Sequence, residues 1–325
     1  MTLEEIFLPI KQDLAEVEEV IRRHVASSSV PFVTDIAEYV IRNGGKRLRP
    51  ALCLFSSRLV GTSGRKVVDC AAAMEFFHTA TLMHDDVIDN AKVRRGKPAA
   101  NSRWGNQIAV LVGDFFYCQA STLLVGAGNL KAIELVTKTM LTTTEGEILE
   151  ITRSNDFATT EVDYLRIITE KTAILMAASC ALGGILGNIS EEFTLALGEY
   201  GKNLGIAFQL ADDVLDYVSD ESEFGKLRGT DLKEGKLTLP LLAALRHASG
   251  GERQIIKDAL IAGTMEEARL KEVTSILLKH GGIDYTLNLA HSFVEKAITA
   301  LAPFKPSIEK ESLTTLARFV TERTR

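Results

Sequence analysis

Six aspartates in two short stretches carry the strongest chemical signal in this chain. Asp85, Asp86 and Asp89 stand in HDDVIDNAKVRRGKP (84–98), and Asp212, Asp213 and Asp216 stand in QLADDVLD (209–216). Each DDxxD closes an apolar run, AAAMEFFHTATLM in the first case and LGIAFQLA in the second. On a helix, residues i and i+4 share a face with Cβ atoms about 5–6 Å apart. Two carboxylates so placed repel by roughly 3 kcal/mol at an effective dielectric near 20, so a segment leaving the core needs a compensating cation. Two such faces meeting across a bundle would make an oxygen-rich pocket suited to Mg²⁺, which takes one or two carboxylates plus substrate phosphates and waters.

The cations have the matching chemistry. Lys46, Arg47 and Arg49 follow a glycine turn in NGGKRLRP (43–50), placed to fork onto phosphate oxygens. Arg94 and Arg95 follow the first acidic cluster, Lys171 and Thr172 lie in TEKTAILMA (169–177), and Lys226 and Lys236 sit in EFGKLRGTDLKEGK (223–236). Singly, each reads as a solvated surface charge. Beside two Mg²⁺-type clusters they suit anions of high charge density, diphosphates above all. Competing chemistries fit less well. Glu75 and His78 form ExxH, half of a di-iron signature, but EGEILE (145–150) offers no histidine to complete it. A P-loop, GxSxG and HExxH are all missing.

The elements that must position these residues read as helices. No proline falls between Pro98 and Pro240, which permits several long helices in succession. Apolar positions recur at three- and four-residue steps through 69–90, 130–152, 161–186, 193–219 and 238–247. Trp104, Ile108, Leu111, Phe115 and Cys118 form one stripe of the kind an amphipathic helix requires. Segments 173–186 and 204–218 are apolar nearly all round and belong inside a bundle. SSSVP (27–31), GTSG (61–64) and the glycine pairs at 44–45, 183–184, 250–251 and 281–282 read as inter-helix turns. Strand alternation is essentially absent. The expectation is all-α: one large single-domain helical bundle over 1–325, with roughly ten or more helices.

Composition limits the function classes. Of 325 residues, 46% are hydrophobic and 25% charged, as in a soluble globular protein. A net charge of −6 gives no reason to expect a nucleic-acid partner. Cys53, Cys70, Cys118 and Cys180 lack CxxC spacing and read as reduced thiols. The N-terminal stretch carries acids where a signal peptide carries cations, and no charge-free apolar run reaches membrane-spanning length. A cytoplasmic location, with no transmembrane helix, is expected.

Five blocks in order, GGKRLRP, FFHTATLMHDDVIDNAKVRRGKPAAN, EKTA, FQLADDVLD and GKLRGTDLKEGKLTLP, resemble the signature blocks of trans-isoprenyl diphosphate synthases, in particular the long-chain branch. They span residues 43 to 240. One departure is Leu227, where the family often has proline. The resemblance implies the isoprenoid-synthase bundle with a central active-site cavity. It also implies a reaction: an allylic diphosphate, farnesyl diphosphate being expected, condenses with successive isopentenyl diphosphates. The product would be a long all-trans polyprenyl diphosphate, octaprenyl diphosphate, for quinone side chains. By matching positions it implies that Asp85, Asp89 and Asp212 bind Mg²⁺, about three ions with substrate bound, supported by Asp86, Asp213 and Asp216. Arg94, Lys171, Lys226 and Lys236 would help to grip the allylic diphosphate. Lys46, Arg49, His78 and Arg95 would hold isopentenyl diphosphate, and Thr172 and Gln209 would line the site where positive charge develops. The 218–235 loop would close as a lid.

Product length is expected to depend on Ala80 and Thr81, five and four residues before Asp85. Small residues there would leave a tunnel open, whereas Phe or Tyr would plug it. Phe76 and Phe77, a turn further back, would narrow its floor or simply pack in the core. The family also suggests a homodimer with at most peripheral membrane contact for product release. Three alternatives have distinguishing features. A shorter-chain geranylgeranyl synthase would stop elongation early. A non-catalytic subunit of a heteromeric synthase would have no need of the second DDxxD. A terpene cyclase would have no need of the GGKRLRP turn.

Overall fold

Among the described residues the proline-free stretch is mostly helical, as its composition predicts. The computed structural model describes residues 2–218, 229–264 and 266–322. The chain begins with α1 (Leu3–Ile6), α2 (Lys11–Val25), α3 (Pro31–Arg42), α4 (Leu48–Leu59) and α5 (Arg65–Ile88). A small hairpin, β1 (Val93–Arg94) and β2 (Lys97–Pro98), precedes α6 (Ala100–Trp104), α7 (Asn106–Ala127), α8 (Leu130–Arg153) and α9 (Glu161–Ile168). A π-turn at Thr169–Ala173 leads into α10 (Ile174–Leu186) and α11 (Glu191–Val218). Then come α12 (Thr230–Lys233), α13 (Leu239–Leu245), α14 (Gly250–Ile261), α15 (Glu267–Lys279), α16 (Gly282–Ala300) and α17 (Ile308–Glu322).

Backbone packing groups the chain into two units. One comprises Met1–Lys138, Leu175–Gly201 and Ala300–Leu316; the other comprises Thr139–Ile174, Lys202–Thr299 and Ala317–Arg325. In the first, α5 is the hub and packs on α7, α4 and α2. Its Cys70, Met74, Phe76, Ala80 and Met83 are all buried, and Phe76 stacks on Phe116 of α7 with ring centroids 5.7 Å apart. Truncating such a ring to alanine costs about 3–5 kcal/mol, through lost transfer energy and the cavity left behind. Asp89 caps the C-terminus of α5 through its N–H to the Asp85 carbonyl (2.8 Å), and Asn90, with φ of +52°, turns the chain away.

Two expectations are corrected here. The stripe Trp104–Cys118 is not the core face of one helix. Gly105, with φ of +87°, ends α6 after Trp104, and Leu111 is 63% exposed. The buried stripe of α7 is Ala109, Val112, Phe116, Ala120 and Leu123. Close packing on α5 selects small residues: a Cβ on Gly113 would lie 2.4 Å from the Nε2 of His84. Val110, Leu111, Tyr117 and Val125 face outward, on a helix whose sequence is apolar nearly all round. By length and composition α7 is apolar enough to cross a membrane, although it carries Asp114 and 39% of that window is buried here. The second correction is Gly183–Gly184, which lies inside α10 and forms no turn. A Cβ on Gly183 would meet the Ser57 backbone N at 2.5 Å, and one on Gly184 the Thr194 Oγ1 at 2.7 Å, so these glycines serve close helix contacts.

The second unit closes on its own core of Tyr164, Ile168, Leu210, Val214, Tyr217, Leu239, Val273 and Leu277. The π-turn that carries Lys171 and Thr172 is clamped from both sides. A Cβ on Gly146 of α8 would sit 2.7 Å from the Lys171 backbone N, and one on Gly205 of α11 would sit 2.5 Å from the Ala173 Cα. Such turns hold one residue more than an α-turn and are frequent at functional sites.

Candidate active site

The first acidic motif closes α5, and its three acids differ in setting. Asp85 and Asp89 are half-buried, whereas Asp86 is buried. The Asp86 Oδ1 accepts hydrogen bonds from Arg94 Nε (2.8 Å) and Nη2 (2.5 Å). Its carbonyl accepts from Asn101 Nδ2 at 2.8 Å and the Ala91 N–H at 2.9 Å. Burial pushes the Asp86 carboxyl up from its ordinary range, and the Arg94 charge opposes that shift. Arg94 reaches Asp86 because the hairpin turns tightly. Arg95 and Gly96 have φ of +53° and +73°, the left-handed pair that a two-residue hairpin loop demands.

The glycine turn departs in part from expectation. Gly44 has φ of +84°, and Arg47, also left-handed at +49°, starts α4. Arg47 does not present its fork to an incoming anion. It pairs with Glu18 on one side and, through Nη1 at 2.9 Å, with the buried Glu75 on the other. Lys46 is exposed and Arg49 half-buried; the Arg49 Nε is shut off from solvent with no hydrogen-bond partner. Burial lowers the Arg49 pKa to about 10; the Arg95 charge adds to this and that of Glu75 opposes it. His78 is held well below its ordinary value by burial and by the charges of Arg49, Arg95, Arg94 and Arg47, so it is a neutral imidazole at pH 7. A cavity of about 40 Å³ is lined by His78, Arg94, Arg95, Arg47 and the Asn43–Gly44 turn, among others. Of the chain-length residues, Ala80 is buried and Thr81 donates its hydroxyl to the His78 carbonyl (2.9 Å). Phe77 meets Tyr117 edge to face, with centroids 4.9 Å apart.

In the second unit the middle acid is again the buried one. The Asp213 Oδ2 accepts the Tyr164 hydroxyl at 2.5 Å, and its Oδ1 accepts Gln209 Nε2 at 2.8 Å. Gln209 Oε1 in turn accepts the Thr172 hydroxyl at 3.1 Å. Burial, with Asp212 and Asp216 nearby, pushes Asp213 up to about 7 against those two hydrogen bonds. Asp216 accepts the backbone N–H groups of Thr230 (3.2 Å) and Asp231 (3.1 Å), so it anchors α12. Asp212 is half-buried. Lys171 spans Glu147 (2.7 Å) and Glu150 (2.6 Å), while Lys236 pairs with Glu234 (2.8 Å) and reaches Glu150 (3.3 Å). Burial alone would raise the Glu150 pKa; Lys171 and Lys236 outweigh it and hold the carboxyl below its ordinary value. Lys226, and residues 219–228 of the expected lid, lie outside the described residues.

Sequence reasoning missed Tyr164, Glu147, Glu150 and Asp231. Tyr164 gave little signal: it stands in α9, and the π-turn at Thr169–Ala173 breaks the α-helical register between it and Lys171. Glu147 and Glu150 were visible in EGEILE as an i,i+3 pair of acids. Asp231 is pushed well above the ordinary aspartate range by burial and by the charges of Asp216 and Asp213, so it belongs to the same acidic cluster.

These donors suit a hard divalent ion. Among the described residues no group of three His, Cys, Asp or Glu side chains is arranged to hold a metal alone. Mg²⁺ does not require one, since substrate phosphates and water complete its shell. Asp85 and Asp89 supply half-buried carboxylates one turn apart while Asp86 is taken up by Arg94.

Known proteins bear on this geometry. The family described as Polyprenyl synthetase matches residues 30–277. Octaprenyl diphosphate synthase of Escherichia coli (strain K12) is 39% identical over 325 residues, which is 100% of both chains. The crystal structure of a decaprenyl diphosphate synthase from Rhodobacter capsulatus matches with a TM-score of 0.94 at 38% identity, covering 100% of both chains. A polyprenyl synthase from Caulobacter crescentus CB15, complexed with calcium and isoprenyl diphosphate, matches with a TM-score of 0.95 at 38% identity, covering 100% of this chain and 98% of that one. Fold, motifs and full-length similarity agree: this chain is a trans-prenyltransferase and belongs to the polyprenyl synthetase family.

Proposed function

We propose that the enzyme is a Mg²⁺-dependent long-chain synthase that extends farnesyl diphosphate with isopentenyl diphosphate to octaprenyl diphosphate, residues 1–325 acting as one synthase domain. The gathering of His78, Arg94 and Arg95 round one cavity, at the end of the helix that bears Asp85–Asp89, supports this most strongly. Asp85, Asp89 and Asp212 are its carboxylate ligands for Mg²⁺, which when bound offsets the charge that builds on the departing diphosphate. Asp86, Asp213 and Asp216 hold those ligands in place. Arg94, Lys171, Lys226 and Lys236 bind the allylic diphosphate, and the two lysines seen here trade part of their pairing with Glu147, Glu150 and Glu234 for its oxygens. Lys46, Arg49, His78 and Arg95 bind isopentenyl diphosphate; neutral His78 serves as a hydrogen-bond donor and not as a charge. The allylic carbon–oxygen bond breaks and the isopentenyl double bond attacks that carbon. A proton then leaves the new chain for the released diphosphate. Thr172 and Gln209 offer oxygen dipoles to the cationic carbon, and the apolar interior keeps water from it.

Mass analysis of products from farnesyl diphosphate, isopentenyl diphosphate and Mg²⁺ tests this reading. An octaprenyl product from the purified chain alone is expected. Elongation that stops at geranylgeranyl would overturn the chain-length assignment, and no turnover without a second protein would overturn catalytic self-sufficiency. Replacing Ala80 with Phe or Tyr is expected to shorten the product sharply, and an unchanged product would reject the tunnel. The enzyme is proposed to act in the cytoplasm as a homodimer. The outward apolar side chains Val110, Leu111, Tyr117 and Val125 of α7 support that assembly, which light scattering on the purified chain would check.

A further inference from the structure

Glu75 is the half of the ExxH pair for which the reaction has no use. It lies one turn before His78 on α5, is only 3% exposed, and its Oε1 accepts the Arg47 Nη1–H at 2.9 Å. Charged groups converge at this point. A Cβ added to Gly45 would meet Arg47 Nη1 at 2.8 Å, Arg95 Nη1 at 3.1 Å and Glu75 Oε1 at 3.4 Å, so two guanidiniums and the carboxylate share the space that this glycine leaves open. The Glu75 charge also acts favourably on Arg49, whose buried Nε has no partner. The neighbouring acids are otherwise engaged, Glu18 on the outer side of Arg47 and Asp86 on Arg94. Guanidiniums packed this closely repel one another, and removing the partner of a buried charge is strongly unfavourable. A carboxylate among them lets them stand together before any anion arrives.

We propose that Glu75 is a positioning residue for the isopentenyl diphosphate subsite, its buried carboxylate holding Arg47, Arg49 and Arg95 as one preformed cationic bed. The inference rests on the assignment of that subsite to Lys46, Arg49, His78 and Arg95. Its advantage is preorganisation: the incoming diphosphate does not have to gather and order the arginines as it binds. Arg47 thereby acts at one remove from substrate, as the strut between Glu75 and the turn that carries Lys46.

Steady-state kinetics on the full-length enzyme, with farnesyl and isopentenyl diphosphates varied separately, tests the proposal. Glu75→Gln keeps the shape and removes the charge; it is expected to raise the KM for isopentenyl diphosphate about tenfold or more. The KM for farnesyl diphosphate should stay unchanged, and Glu75→Asp should recover much of the loss. A fall in kcat with both KM values unchanged would mark a merely structural residue and overturn the proposal. Tighter isopentenyl diphosphate binding would overturn it too, since Glu75 would then only be diluting the positive field. Should Glu75→Gln fail to fold, Glu75→Asp carries the test by itself: a raised KM for isopentenyl diphosphate alone is expected, and a wild-type KM overturns it. Arg49→Ala separates the subsite from its support. If it leaves that KM unchanged, the subsite assignment fails; if it raises the KM while Glu75→Gln is silent, only the role of Glu75 fails.

Discussion

The two acidic motifs share a sequence pattern and a burial pattern, yet they are fixed by opposite means. In both, the middle aspartate is buried and hydrogen-bonded, while the outer two are half-buried. Asp86 is held by a cation, Arg94, delivered by a left-handed hairpin turn. Asp213 is held by two neutral donors, Tyr164 and Gln209. The outermost acids differ as well: Asp89 closes its own helix, whereas Asp216 reaches over to anchor α12. One four-residue spacing thus yields an ion pair in one unit and a hydrogen-bond relay in the other. Burial disfavours the charge of both middle acids; the Arg94 charge and hydrogen bonds oppose it at Asp86, and hydrogen bonds from Tyr164 and Gln209 oppose it at Asp213.

The largest effect should come where the motifs are expected to be equivalent. Asp85→Ala and Asp212→Ala are each expected to lower kcat by about 10²–10³, as loss of one preorganised stabiliser of developing charge does. Incorporation of labelled isopentenyl diphosphate measures this. A silent Asp212→Ala beside an inactive Asp85→Ala would break the equivalence.

Next in size is a pH effect confined to the second motif. Asp213 sits at about 7, against an ordinary value of 3.8. A carboxyl whose folded pKa is raised contributes stability that is complete below about pH 4 and is lost as the pH climbs through about 7. The metal-free enzyme should therefore lose on the order of 4 kcal/mol from this group across that window. Asp213→Asn removes the titrating group and should flatten the slope of melting temperature between pH 5 and pH 8. Parallel slopes for variant and wild type would show that Asp213 does not titrate there.

Smaller again is Tyr164→Phe, expected to cost about 1–2 kcal/mol by removing one hydrogen bond from a buried carboxylate. Denaturant midpoints should show the larger loss at pH 8, where Asp213 is ionised. Equal losses at pH 5 and pH 8 would contradict the relay. The smallest effect is the salt-sensitive part of Arg94→Gln. The Asp86 side chain is 6% exposed, so losing its cation has a cost that salt does not change. The Arg94 side chain is 33% exposed, and about 1 kcal/mol of the pair should be screened at about 1 M salt. Thermal melts at low and high salt distinguish it from Tyr164→Phe, whose cost should not depend on salt.

The legible part of this molecule was its punctuation: both acidic motifs, the glycine turn, the Lys–Thr pair and the helical periods other than the Trp104–Cys118 stripe lie where the chain spells them. What stayed hidden were choices among chemically equal candidates. Lys46, Arg47 and Arg49 look alike in GGKRLRP, and only the placement of Glu18 and Glu75 on other helices turns Arg47 inward. Gly183 and Gly184 read as a break because glycine lowers helix propensity, but close contact with Ser57 and Thr194 overrides propensity. The exposed stripe of α7 misled for a related reason. When a helix is apolar on nearly every side, periodicity cannot choose the inner face, and the small residues that admit α5 decide it. Tyr164 and Glu150 gave little signal because their partners come from helices distant in sequence.

The π-turn at Thr169–Ala173 leaves a mark on everything after it. A bulge of this kind accommodates one surplus residue, and annealing it to regular α-helix would rotate the following segment by about 100°. Gly183 would swing away from Ser57, and Gly184 from Thr194, with bulkier neighbours arriving in their stead. Deleting a single amino acid near position 170 would instead take out the surplus residue and let the turn close as ordinary α-helix with the downstream phase kept. What such a deletion would forfeit is the widened turn that carries Lys171 and Thr172, so the helix could absorb a change of count there that its site could not.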